Sequence, residues 1–457
     1  MSRELGGALR ELAERIPPAA VPEDLFDRAR ARHRGRLVAA AGAFAVVLLL
    51  LAIGYLVRPA PVHVAPAGRP AAPGLPSRLV VPPARTATAG QSPPGAAAML
   101  FGGPALRDGW REGRMAVVAA DADRYRVFDE ATASPPGFEA LLSPDGRYAW
   151  WGGELHDLTS GDVRRLGAGG QPLAFAPAGD RIVHATEPTF VDGGHYVTDE
   201  VGVSGVDGRR LLRLRVGTAW VPPGNSAAVS PPGDRLALQV RDEVWLAPIG
   251  TSDGTGPVGP QARFGLSGGR LAGPGAWLPD GRTLAVLDRS TCVDCPVAGY
   301  PRTWRLALRD AATGHPVAGP AFPELRSTTF VQVVGWRSPE VAVALVGVPG
   351  PDARDRPDGY DQAWGPYHEP GTAAVRLVLL RRGAAQPEVL FETPPGVSEL
   401  GVAAGLAVSA PLRPAGRPSY GPPHPYYLAG AGCLLVALAV PAVLLLRRWR
   451  QRRRARG

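Results

Sequence analysis

Leu142-Ser143-Pro144-Asp145-Gly146-Arg147-Tyr148-Ala149-Trp150 reads as a short apolar strand, a Pro/Gly turn, an Arg and a second apolar strand. Ser at turn position i, Pro at i+1, where its fixed φ fits, and Gly at the end, where a positive φ costs little, specify a tight hairpin. Degenerate copies recur further along the chain. They are Phe175-Ala176-Pro177-Ala178-Gly179-Asp180-Arg181-Ile182-Val183, Val229-Ser230-Pro231-Pro232-Gly233-Asp234-Arg235-Leu236-Ala237-Leu238, and Leu278-Pro279-Asp280-Gly281-Arg282-Thr283-Leu284-Ala285-Val286. From Pro144 to Pro279 three intervals cover 135 residues, a mean of 45. Hairpins repeated at that period specify a β-propeller. Dividing residues 99–410 by it gives about seven blades, or six with long loops.

A second repeat supports the first. Leu155-His156-Asp157-Leu158-Thr159-Ser160-Gly161 matches Leu308-Arg309-Asp310-Ala311-Ala312-Thr313-Gly314, with Phe128-Asp129-Glu130-Ala131-Thr132 as a weaker copy. Asp and Thr can hydrogen-bond their own turn. These read as turns between the third and fourth strands of a blade. In the blade after Leu278 the two turn glycines stand 18 residues further apart than in the first, and Cys292 and Cys295 fall inside that insertion. Beyond it, 331–336 and 341–348 read as strands around Ser338-Pro339, and 375–380 with 388–391 as an outer hairpin. Residues 402–409 read as a last strand that closes the ring against the first blade and brings both flanking linkers out together.

Around this block lie two apolar segments. Residues 37–57 and 427–446 carry no charge, and each is about long enough to cross a ~30 Å hydrocarbon core as a helix. Pro-rich stretches separate them from the propeller at 58–98 and 411–426. Such segments favour extended polyproline II, and the first would reach on the order of 120 Å at full extension. Every basic residue is Arg. The net charge of +9 divides into +2 over residues 1–36, zero over 37–446 and +7 over 447–457. The neutral centre argues against nucleic-acid binding. Arg28, Arg30, Arg32, Arg34 and Arg36 precede the first apolar segment, and Arg447, Arg448 and Arg450 come after the second. By the positive-inside rule both termini are cytoplasmic and the propeller is outside, in a two-pass protein whose first partner is the lipid bilayer. A cleaved signal peptide is the rival reading of 37–57; the long leader and the lack of a cleavage site favour a retained helix.

Residues 1–16 place Leu5, Leu9, Leu12 and Ile16 on one face of a helix, and Pro22-Glu23-Asp24 opens a second that carries Leu25 and Phe26. This segment reads either as a topology signal touching anionic lipid or as a docking helix, with Leu9, Leu12, Leu25, Phe26, Arg28 and Arg30 as the contacts. The stretch Val21-Pro22-Glu23-Asp24-Leu25-Phe26-Asp27-Arg28-Ala29-Arg30, followed by an Arg cluster, an apolar segment and hairpin repeats, resembles a group of actinobacterial membrane-anchored WD40-like, TolB-like propeller proteins often encoded beside extracytoplasmic-function sigma factors. The resemblance implies that the cytoplasmic segment would contact a sigma factor, in the manner of an anti-sigma factor. It departs from zinc-type anti-sigma domains, because His33 stands alone and residues 1–36 hold no Cys.

No catalytic or metal site emerges, and no cofactor is expected. Cys292 and Cys295 outside the membrane suit a local disulfide better than a four-ligand zinc site or a redox motif. The Asp352, Asp355, Asp358 and Asp361 series lacks calcium-loop spacing. His184, Asp192 and His195 could in principle hold a metal but suit solvated or turn-bonding roles better. Gly202-Val203-Ser204-Gly205 is not a nucleophile elbow. The expectation is an all-β protein: a propeller ectodomain, two transmembrane helices and short helical cytoplasmic ends. It would be a non-enzyme binding or sensing module for an unknown envelope ligand or protein. The alternatives are an envelope-assembly module without signalling and, less favoured, a hydrolytic or lyase propeller.

Overall fold

A computed structural model describes residues 72–106, 114–128, 135–166, 170–191, 195–221, 226–250, 258–291, 302–351, 353, 371–422, 442 and 445–454. The described residues form six antiparallel sheets, each a blade. Blade 2 is Leu141–Leu142, Tyr148–Trp151, Glu154–Asp157 and Val163–Arg165. Blade 3 is Gln171–Phe175, Arg181–Thr186, His195–Gly205 and Arg210–Trp220, with Thr189–Val191 pairing along the third strand. Blade 4 is Ala227–Val229, Arg235–Val240, Glu243–Pro248 and Ala262–Gly265. Blade 5 is Arg270–Leu271, Thr283–Thr291, Arg302–Asp310 and Leu325–Arg326. Blade 6 is Val331–Ser338, Val341–Pro349, Thr372–Arg381 and Glu388–Glu392.

Blade 1 is built from both ends of the domain. Glu399–Val402 is its innermost strand and pairs with Ala97–Gly102, which is succeeded by Met115–Ala119 and Tyr125–Phe128. Met99 faces Val402 and Phe101 faces Leu400. The first and last parts of the domain are thus joined in one sheet, and the ring closes. The count is six because connections at 103–114, 292–301 and 350–371 lengthen three blades beyond the motif period.

The four motif hairpins are the turns between first and second strands of blades 2 to 5. Gly146 sits at φ 73°, and a Cβ there would lie 1.9 Å from the Ala97 carbonyl oxygen of blade 1. The Gly146 carbonyl accepts the Ala97 N–H at 2.8 Å, so the turn also stitches two blades. The Arg after two of the later turns links blades further round. Arg181 of blade 3 donates to the Gly233 carbonyl of blade 4. Arg235 of blade 4 donates to the Gly281 carbonyl of blade 5 and covers the Trp277 ring at 4.9 Å. Arg147 stands one position earlier in its turn, since Tyr148 takes the place of Arg181 and Arg235, and it pairs with Asp157 inside its own blade.

The outer turns at Asp157 and Asp310 share one geometry. Each carboxylate accepts the N–H and hydroxyl of the Thr two or three residues on, and the closing Gly161 and Gly314 have positive φ. Both come directly after the third strand, as the repeat requires. The Phe128 copy does not: Phe128 ends the outermost strand of blade 1, so the chain beyond it leads to the next blade.

The closing segment also differs from expectation. The strand ends at Val402, and Ala404–Ser409 is a short helix, α1. Ala403 N–H still reaches Ala98, but Gly405 N–H is taken by the Pro144 carbonyl of the blade 2 turn, which bends the chain out of the sheet.

The Pro-rich flanks are packed from residue 74 onward rather than free. Leu75, Leu79, Thr86, Ala87 and Ala89 are buried, and residues 87–89 pair with Val127 along the outer edge of blade 1. Extended, proline-fixed backbone is suited to covering a sheet edge that would otherwise stay unpaired. The C-terminal strap, 411–422, runs parallel to this N-terminal strap, with Pro76 beside Arg413 and Ala87 bonded to Tyr420. Arg413 and Asp123 form a buried ion pair at 2.5 Å, and Asp123 also accepts the Gly416 N–H at 2.6 Å. Because the straps are parallel, their free ends diverge. Pro73 lies near Gly405 and Pro144 on the turn face, whereas Gly421 lies against Ala87 and Arg126 at the blade's outer edge. The linkers do not leave together.

Residues 62–424 form one compact unit, and residues 1–61 with 425–457 form another. Residues 445–454 are helical, with Arg453 over the Trp449 ring at 3.7 Å. No helix among the described residues is long and apolar enough to cross a membrane. Residues 37–57, and all of 427–446 except 442, 445 and 446, lie outside the described residues.

Candidate functional site: an apolar axial pocket

A cavity of about 290 Å³ lies where the innermost strands of the six blades converge. Each blade contributes: Val402 from blade 1, Leu142 from blade 2, Phe175 from blade 3, Val229 from blade 4, Trp277 from blade 5 and Trp336 from blade 6. The turn prolines Pro144, Pro177, Pro231 and Pro279 line it as well, which sets its mouth on the motif-turn face. Ala404, Gly405 and Val408 of α1 complete the wall.

The far end is closed by the chain crossing from blade 1 to blade 2. Gly137, at φ 86°, presses so close to the Leu400 carbonyl that a Cβ would meet it at 2.3 Å. Its own carbonyl accepts the Gln332 side-chain N–H at 3.1 Å, and Phe138 meets Phe330 edge-on at 5.2 Å.

None of the lining residues is charged. The two indoles have their N–H groups engaged with the preceding blade: Trp277 donates to Ala228 at 3.2 Å and Trp336 to Gly275 at 2.7 Å. These bonds hold the rings on the wall, and Arg235 covers one face of the Trp277 ring. Such a lining suits apolar contact, not acid–base or nucleophilic chemistry. A second cavity of about 550 Å³ adjoins the mouth and shares Pro144, Pro177 and Gly405 with the first. Leu406, Ser409, Pro73 and Arg124 border it, and Arg124 is paired with Asp121 at 2.7 Å.

The perturbed titratable groups lie away from the axis. His156 is 7% exposed and stacks on Trp151 at 3.7 Å; burial drives its pKa down to about 4 against the opposing pull of Glu154. His184 is likewise driven to about 4, by burial and by Arg210. It meets the edge of the Trp150 ring and contacts Ser204 Oγ through Nε2 at 3.0 Å, a packed position rather than a solvated one. Ser204 sits within a strand paired on both sides, so this Ser–His contact belongs to the sheet and not to a strand-to-helix elbow. Tyr125 is pushed up to about 12 by burial, and its hydroxyl accepts the Val80 N–H of the N-terminal strap at 3.2 Å. No cluster of three metal-ligating side chains occurs among the described residues.

Of the residues singled out from sequence, Leu9, Leu12, Leu25, Phe26, Arg28, Arg30, Arg32, Arg34, Arg36, Cys292 and Cys295 lie outside the described residues, as do Asp192 and Asp352. Arg447, Arg448 and Arg450 fall on the C-terminal helical stretch. The pocket residues were partly legible, because the four turn prolines belong to the repeat. Trp277 and Trp336 were not singled out. The available signal was the place of Trp336 on the innermost strand of blade 6 and of Trp277 directly before the blade 5 motif turn, both of which a propeller directs to its axis.

No family model matches the chain, and no curated protein does. Solved structures do match in part. Hydrazine synthase of Kuenenia stuttgartiensis is 15% identical, with 57% of this chain and 68% of that one covered and a TM-score of 0.33. A protein designated TolB from Agrobacterium tumefaciens is 14% identical, with 66% and 91% covered and a TM-score of 0.33. The β-propeller domain of Cps50 (Swd1) from Myceliophteria thermophila is 12% identical, with 64% and 82% covered and a TM-score of 0.34. Likenesses at this level carry over neither activity nor ligand. The assignment as a six-bladed propeller rests on the strand pairings.

Proposed function

We propose that this protein is a membrane-tethered, non-catalytic binding module. Its propeller stands outside the cell and receives a ligand or partner at the axial pocket. The observation that carries this reading is the pocket itself, a cavity framed by all six blades and lined without a single charged side chain. Two uncharged segments of membrane-spanning length flank the propeller, and arginines lie on their far sides. On this reading residues 1–36 face the cytosol and engage a partner through Leu9, Leu12, Leu25 and Phe26, with Arg28 and Arg30 for charge. A sigma factor is the partner that the sequence resemblance suggests.

Two measurements test the parts separately. Protease added to intact cells should nick the Pro-rich stretch around residues 58–71; a chain that stays whole there unless the cells are lysed would reverse the topology. Co-purification from cells should recover a cytosolic partner that is lost on deletion of residues 1–30. A partner retained after that deletion would remove the N-terminal segment from the signalling role.

A further inference from the structure

We infer that the axial pocket takes an uncharged, largely hydrocarbon ligand, and that α1 is the yielding wall through which occupancy reaches the C-terminal strap. The inference rests on the proposed reading of that pocket as the binding site.

The ligand class follows from the lining. Val229, Phe175, Trp277, Trp336 and the turn prolines offer carbon surface, and both indole N–H groups are already donated to backbone carbonyls. A charged ligand would lose its water there and find no counter-ion among the lining side chains, which is a steep penalty. A hydrocarbon surface loses nothing by leaving water and gains close contact.

The moving part follows from how each wall is held. The six innermost strands belong to sheets and are secured by hydrogen-bonded ladders. The helix has six residues, no side-chain N-cap and no charged residue at either end. A helix that short has little stability of its own. Ala403 N–H to Ala98, Gly405 N–H to Pro144 and a long bond from Arg337 to the Ala407 carbonyl tie it down. Ala407 is buried and Ala404, Leu406 and Val408 pack against the same core, so the helix is held by side-chain contact and few hydrogen bonds, and such an element opens before the sheet ladders do. The cavity of about 550 Å³ on its outer side, bordered by Leu406 and Ser409, leaves room for displacement.

Chain continuity supplies the output. Glu399–Val402 closes the ring immediately before the helix, and Arg413, which clamps Asp123, comes four residues after Ser409. A shift of the helix therefore pulls on the strap that leads out of the propeller.

The test uses the full-length chain in amphipol and two fluorescent probes with the same ring system. These are neutral N-phenyl-1-naphthylamine and its sulfonated analogue 1-anilinonaphthalene-8-sulfonate. Signal from Val408→Phe, which fills the pocket from the helix, is subtracted as background, with Ala404→Leu as a second filling variant in case the first misfolds. The neutral probe should bind saturably and at least about tenfold more tightly than the sulfonate. With it bound, amide exchange over residues 404–413 should change by about fivefold or more while the blade 4 strands stay constant. Equal affinity for the two probes would overturn the ligand class while leaving pocket binding intact. Binding without any change in exchange over 404–413 would overturn the role of the helix. If neither probe binds above the filled variants, the pocket reading itself fails and this inference falls with it.

Discussion

Removing Arg413 should release both straps from the propeller. Its guanidinium lies 2.5 Å from Asp123 and also donates to the Ala120 and Pro414 carbonyls. Arg413 is 7% exposed, and the Asp123 side chain is 2% exposed. In Arg413→Ala the Asp123 carboxylate stays buried and keeps the Gly416 N–H, but loses its counter-ion. Breaking one side of a buried pair costs about 3–5 kcal/mol, mostly because the other charge is stranded. The straps join the rest of the domain at one edge, so the loss should appear first as local opening. At about 3 kcal/mol the open population rises on the order of a hundredfold. Trypsin reads this directly, because Arg78 and Arg85 lie in the N-terminal strap. Cleavage there should accelerate by about that factor, while denaturant unfolding of the blades shifts less. Asp123→Ala should behave similarly. The double variant should cost less than the sum of the two singles, with a coupling of about 2 kcal/mol. Unchanged strap cleavage in Arg413→Ala, or strict additivity in the cycle, would refute the view that this pair latches the straps.

Three further outcomes come from the blades themselves. Arg235→Ala removes a bond to the next blade and a cation over Trp277, and should destabilise the propeller by about 1–2 kcal/mol in denaturant titration; Arg282→Ala, one position earlier in the blade 5 turn, where Thr283 takes the place matching Arg235, serves as the comparison and should cost less. Gly146→Ala meets both a positive φ and the Ala97 carbonyl, and should cost about 2 kcal/mol or more by the same measurement; a neutral result would contradict the turn geometry. His156 and His184 both have pKa values lowered from 6.5 to about 4, so the unfolded chain binds protons between those values that the folded chain does not. Stability should accordingly be full above pH 6.5 and fall as the pH drops towards 4, by up to roughly 3 kcal/mol per imidazole. Unfolding midpoints that stay level from pH 7 to 4.5 would contradict that burial.

Much of the architecture was legible in the chain because its signals are local. A Ser-Pro-Asp-Gly turn needs only its own four residues, and Asp157 and Asp310 bond within their own turns. Hence the sequence alone determined the hairpins, their period, the propeller class, the uncharged flanking segments and the Arg clusters beyond them. Tertiary structure decided what depends on distant partners. The blade count turned on how loops near 103–114, 292–301 and 350–371 are absorbed, and no local pattern measures that. The Pro-rich straps lie flat because blade 1 offers an unpaired edge and Asp123 offers a charge, 290 residues away from Arg413. Residues 404–409 leave the sheet where a turn of blade 2 takes the Gly405 N–H. The axial pocket exists only when six separate strands meet, so its apolar character is spread over positions that are each ordinary in sequence and become a site through ring closure.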